Sequence, residues 1–178
     1  MLTKAHIESS RKMMDELISS LSQKTIELFK RDQYLKPVAF LINSDKILGI
    51  LELKFETDEE KYNMYFRVGQ VAKQLKADRV VMINDVALRT YTNKEEADYA
   101  RQNYDHESPL CYPENMRQDG ILLTDIKIGS KKIEACFLKY EKREEEIYFY
   151  DPQEIKSDFK VSLNGALVEN ILKGYEKL

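Results

Sequence analysis

Cysteine and histidine are scarce in this chain, with two of each among 178 residues. Cys111 and Cys136 are too few for a disulfide framework and too far apart in sequence for a zinc knuckle, so both are expected as reduced thiols. With only His6 and His106, a histidine-rich metal site cannot be assembled. The six glycines are scattered, and neither G-x-G-x-x-G nor a Walker sequence occurs, which removes the common phosphate-cradling loops. G-x-S-x-G and H-E-x-x-H are missing as well. The longest purely apolar runs, such as residues 38–42 and 80–83, fall far short of the ~20 residues needed to cross a bilayer. No apolar signal core follows Met1, so a cytoplasmic protein with no membrane partner is the expectation. Strong charge of one sign is also lacking. A net charge of −3 provides no global positive field, and nucleic-acid binding would need a local basic patch.

What remains is a well-solvated globular composition, 43% apolar and 33% charged. Disorder would need fewer large apolar residues and a stronger charge imbalance. At this length folding hides roughly 70% of the surface of the unfolded chain, enough for a core without staples. No internal repeat or low-complexity linker divides the sequence, so residues 1–178 are expected to form a single domain.

Periodicity then predicts the elements. From about residue 3 to 31, apolar residues at Ile7, Met14, Leu17, Ile18, Leu21, Leu28 and Phe29 make a helical stripe with no Gly or Pro to interrupt it. Pro37 bars further helix, and residues 38–42 read as a buried strand. A turn at residues 43–46 leads into an alternating strand from Ile47 to Phe55, completing a hairpin. Thr57 or Asp58 can cap the next helix, which runs on to near Ala77. Residues 79–85 form another strand, with Asp85 where it leaves the core. Between residues 86 and 119 no sustained apolar run occurs, apart from a short helix near residues 93–102; the rest is expected to be irregular loop. Strands resume at residues 120–128, 132–140 and 146–150, and a last amphipathic helix carries Leu163, Leu167, Val168, Ile171, Leu172 and Tyr175. The order α-β-β-α-β-loop-β-β-β-α implies an α/β (α+β) fold, a single mixed sheet of about six strands with helices packed on it.

Two places can carry chemistry. Glu52-Leu53-Lys54 puts a carboxylate and an ammonium on one side of a strand, where the first could hold a divalent metal and the second steady a developing anion. This E-x-K, with the helix, hairpin, helix and strand of residues 3–85, resembles the core of the PD-(D/E)xK nuclease family. That resemblance implies Mg²⁺ as cofactor and Glu52 and Lys54 as catalytic residues. The family also has an acid on the neighbouring strand; here a tight hairpin puts Pro37 or Val38 opposite Glu52, and the nearest acid, Asp45, lies in the turn. Under a plain structural reading Glu52 and Lys54 are the solvent side of a strand end, and no cofactor is implied.

The second place gathers around the central segment: Asp85, Arg89, His106, Cys111, Tyr112, Arg117 and Asp119. If the strand before Asp85 has a parallel neighbour, Asp85 sits at the strand end where α/β sheets receive ligands. Guanidinium groups, a titratable imidazole and interleaved tyrosines could hold an anion or a nucleotide ring. The competing account is ordinary packing, with tyrosines half buried, a solvated His106, an inert Cys111, and Arg117 and Asp119 as an ion pair where the strand begins.

The runs Arg31-Asp32-Gln33-Tyr34-Leu35-Lys36-Pro37-Val38-Ala39-Phe40-Leu41, Ala77-Asp78-Arg79-Val80-Val81 and Pro113-Glu114-Asn115-Met116-Arg117-Gln118-Asp119-Gly120-Ile121 are similar to a family of small prokaryotic proteins without assigned function, over about residues 25–150. The resemblance implies no activity or cofactor. The expectation is a small binding protein that uses residues 85–119 for a nucleotide-like ligand or a protein partner. A homodimer follows if the first helix keeps a second apolar edge, and the metal-dependent nuclease stands as the alternative.

Overall fold

The computed structural model describes residues 16–44, 46–89, 93–104, 113, 116–144, 146–155 and 165–177. Along the chain it has helix α1 (Glu16–Asp32), strands β1 (Val38–Asn43) and β2 (Lys46–Glu52), helix α2 (Asp58–Gln74) and strand β3 (Arg79–Arg89). Helix α3 (Lys94–Tyr104), strands β4 (Arg117–Lys127), β5 (Lys132–Arg143), β6 (Glu146–Phe149) and β7 (Gln153–Ile155), and helix α4 (Gly165–Glu176) follow.

Among the described residues, a seven-stranded sheet has the order β2-β1-β3-β4-β5-β6, with β7 also paired to β5. The α/β architecture is the expected one, but each of the described pairings is antiparallel rather than mixed. The reason lies in the connections. Tight turns join β1 to β2, β4 to β5 and β5 to β6, and a hairpin turn can only reverse direction. The short β7 adds one strand to the expected six; three residues after Asp151-Pro152 are too few to show a period.

Both faces of the sheet's centre are buried, and alternation along β3 shows how. Val80 and Met82 join a core with Ala39, Leu41, Tyr65, Val68, Ala72, Leu167, Val168 and Ile171, beneath α2 and α4. Val81 and Ile83 point the other way, into a core with Ile18 and Phe29 of α1 and with Ile42, Leu123, Leu138 and Tyr140. Successive side chains of a strand point to opposite faces, so one apolar run serves two layers of helix.

Local chemistry fixes the ends. Thr57 caps α2 by accepting from the Glu60 N–H at 3.2 Å, while Glu60 Oε2 accepts from the backbone of Glu56 at 2.7 Å and of Thr57 at 3.3 Å. In α1 the buried stripe passes through Ser22 and Thr25, whose hydroxyls donate back to the carbonyls of Ile18 and Leu21 at 2.8 and 2.7 Å, so neither buries an unpaired group. The part of the predicted first helix before residue 16 lies outside the described residues. Asp78 ties one end of the sheet together: its N–H donates to Ile42 O at 3.0 Å and its carbonyl accepts from Ile128 N at 2.9 Å.

Near that end Arg79 and Asp125 form a two-point ion pair, Nε to Oδ1 at 2.6 Å and Nη2 to Oδ2 at 2.7 Å, with side chains only 9% and 8% exposed. The parallel fork matches the guanidinium to the carboxylate, which is the geometry that offsets removal of both charges from water.

Candidate functional site

The strands β3 and β4 run further than their apolar cores predict. Asp85 does not end its strand: the ladder continues Asp85↔Ile121, Val86↔Gly120, Ala87↔Asp119, Leu88↔Gln118, Arg89↔Arg117. Residues 86–89 and 117–119 are therefore strand rather than loop. They lack an apolar run because this end of the ribbon is half exposed, and pairing across the ladder substitutes for burial.

That register gathers the predicted residues. Asp85, Ala87 and Arg89 hold alternate positions on β3, opposite Ile121, Asp119 and Arg117 on β4, so the two acids and the two arginine positions belong to the same face of the ribbon. It is the face that carries Ile121, Leu123 and Tyr140 and is covered further along by α1. His106, Cys111 and Tyr112 lie outside the described residues. Because β3 has antiparallel neighbours, Asp85 does not sit at a crevice between parallel strands; its placement comes from the ribbon alone.

Two further residues belong to this face. The Tyr140 hydroxyl of β5 donates to Asp85 Oδ1 at 2.9 Å. Lys142, two residues along β5, lies near enough to Asp85 to favour its charged form, and its Nζ stands 5.7 Å from the Phe29 ring centre and 5.9 Å from that of Tyr140. Tyr140 packs on Phe29 with ring centres 4.8 Å apart and on Phe149 at 5.7 Å. Its body is thus fixed in the core while its hydroxyl faces the acid. The alternation of residues 132–140 already puts Tyr140 on the side of Leu138 and Cys136, and that was the available signal for it.

Electrostatics at the cluster follow from crowding. Asp85 reaches the surface, yet the sheet strips water from one side of its carboxyl and raises its pKa. Tyr140 and Lys142 pull in the opposite direction, and the nearby charge of Asp119 adds to the rise. Burial, followed by the charge of Asp85, pushes the Tyr140 hydroxyl well above the ordinary tyrosine range, so it stays a neutral donor. Arg117 Nε lies 3.9 Å from Asp119 Oδ1, a loose contact along the strand rather than a closed pair. A carboxylate has more acceptor sites than one tyrosine hydroxyl fills, and the arginine adds directed N–H donors. On one face of the ribbon, four ladder positions apart, the acid and the arginine can read a ligand carrying both N–H donors and an anionic group.

Glu52 and Lys54 look different. Glu52 is the last residue of the edge strand β2 and pairs with Val38, so no acid faces it across the hairpin. Its carboxylate is engaged by Lys36 at 3.0 Å and Lys54 at 3.4 Å, and hydrogen bonding to Lys36 lowers its pKa. Both lysines are solvent-exposed. Among the described residues no group of three His, Cys, Asp or Glu side chains could hold a metal ion. Nor is any described helix long and apolar enough to cross a membrane.

Comparison with known protein families gives a match over most of the chain. The family model described as bacteriophage lambda protein ea47 matches residues 2–146, and the chain belongs to that family. No curated protein and no solved structure matches it.

Proposed function

Starting from membership of the ea47 family, whose description states no activity, we propose that this chain is a binding protein and that its ligand docks on the Asp85 end of β3, β4 and β5. The ligand class is nucleotide-like: a ring edge with N–H donors for Asp85 and Asp119, and an anionic group for Arg117 and Lys142. Nothing in this reading needs a metal.

The observation that carries the proposal is the ladder register, which gathers acids and cations from separate strands at one half-exposed place beside an aromatic floor. Acid and base interspersed suit a small zwitterionic or mixed ligand, whereas the net charge of −3 disfavours a long polyanion.

Thermal unfolding against a panel of nucleoside mono- and triphosphates tests it. A bound nucleotide at 100 times its Kd should stabilise the native chain by about 2.7 kcal/mol. Arg117→Ala should abolish the gain for phosphorylated ligands, and Asp85→Asn should change which base is preferred. If no nucleotide raises the unfolding midpoint, the ligand class is wrong. If Arg117→Ala keeps the full gain, the location is wrong.

A further inference from the structure

On the other face of the sheet, beneath α2, the interior holds a polar cluster. Tyr65 of α2 is 2% exposed, Asn84 of β3 7% and Thr124 of β4 3%. The ladder pairs Asn84 with Leu122 and Met82 with Thr124, which makes Asn84 and Thr124 diagonal neighbours on the face that bears Met82 and Ile126. Burial pushes the Tyr65 hydroxyl up to about 12, and Asn84 lies close enough to act on it in the opposite direction without a closed hydrogen bond between them. Asn84 Nδ2 and Thr124 Oγ1, however, have no hydrogen-bond partner among the described residues. An amide turned end for end would still leave the threonine hydroxyl alone.

Interiors rarely tolerate such groups, because a buried donor without an acceptor forfeits its bond to water and gains nothing in exchange. A threonine in a strand has few ways out. The backbone carbonyls beside it are already engaged in ladders on both sides, to β3 and to β5. Two unpaired atoms on adjacent strands, one a donor and the other both donor and acceptor, match the bonding capacity of one water molecule. We infer that an ordered water is bound inside the protein between Asn84 Nδ2 and Thr124 Oγ1, beside the Tyr65 hydroxyl. It bridges β3 to β4 through their side chains and links both to α2.

Thr124→Val tests this, since it keeps the shape of the side chain and removes the hydroxyl. Water-oxygen magnetic relaxation dispersion counts long-lived internal waters, and the native chain should show one more than Thr124→Val. The urea midpoint of the variant should fall as well, and Thr124→Ser should restore both readouts. An equal water count in the two proteins overturns the inference, whatever the midpoints do. Removal of a lone unpaired hydroxyl would then raise the midpoint, the opposite sign. Should Thr124→Val fail to fold, a crystal structure of the native chain decides: density within hydrogen-bonding distance of both atoms supports the water, and its absence overturns it.

Discussion

Gly69 on α2 and Gly174 on α4 are each pressed against the backbone of the other helix. A Cβ on Gly69 would collide with the Ile171 carbonyl and stand 2.7 Å from Tyr175 N; one on Gly174 would collide with the Phe66 carbonyl and stand 3.3 Å from Gln70 N. The contact is reciprocal, and it lets the two helices lie close over the core that contains Val68 and Ile171. Alanine in a helix interior normally gains ~1 kcal/mol over glycine. Here the obstacle is a backbone carbonyl, which cannot rotate aside, and overpacking of that kind costs about 1–3 kcal/mol. The cost outweighs the gain, so Gly69→Ala and Gly174→Ala should each destabilise, lowering the thermal midpoint by up to about 8 °C for a chain of this size. A midpoint equal to or above that of the native protein would show that the helices sit further apart.

The Arg79–Asp125 pair makes a second prediction about stability. Both side chains are buried, so Asp125→Asn leaves a guanidinium without its counter-charge in a place where water cannot replace it. Loss of one partner of a buried pair costs about 3–5 kcal/mol. Urea unfolding should show a drop in that range, and the double variant Arg79→Met with Asp125→Leu should recover part of it. Glu52→Gln, which removes a charge from an exposed pair, should barely move the midpoint. A small effect at Asp125 would mean that the pair is hydrated.

The capping box at the start of α2 is open to the same measurement. Thr57→Ala removes the acceptor for the Glu60 N–H and leaves that group to water. The expected loss is about 0.5–2 kcal/mol, and Thr57→Ser or Thr57→Asp should retain most of the stability because either can accept from the same N–H. Equal stability of the alanine variant would show that the helix begins elsewhere.

These features differ in how far the sequence discloses them. A cap at Thr57 or Asp58, the hairpin of β1 and β2, and Pro37 or Val38 opposite Glu52 are legible, because each depends on residues a few positions apart; the structure selects Thr57 and Val38. The candidate site is legible in composition but not in form. Asp85, Arg89, Arg117 and Asp119 can be named from charge and position, yet their common face depends on a register that no short window contains. Tyr140 reads as one more core residue of a strand; its partner Asp85 is 55 positions away. The paired glycines belong to separate helices, and a glycine in a helix looks like a local weakness until the other backbone is in view. Backbone conformation inside the turns is hidden for another reason: Ser44, Lys76, Lys131 and Glu144 take positive φ without being glycine, so composition does not mark which residue adopts it.

Asp85 provides the pH-dependent prediction. Its carboxyl has a pKa above the ordinary aspartate value of 3.8, first because the sheet removes water from it and then because Asp119 repels its charge. A folded state that holds a proton more tightly than the unfolded chain loses stability as pH rises from 3.8 through the raised folded-state pKa. Below 3.8 both states are protonated at this position, and the contribution is fully present. Asp85→Asn has no proton to lose, so its stability relative to the native protein should increase as pH rises across that window and level off above it. Unfolding midpoints collected from pH 3 to 8 read this difference directly, and a carbon-detected NMR titration reports the carboxyl itself. A carboxyl that titrates at or below 3.8, or a variant whose relative stability falls with rising pH, would show that Tyr140 and Lys142 outweigh the crowding. Asp85 would then be an ordinary ion-paired surface acid.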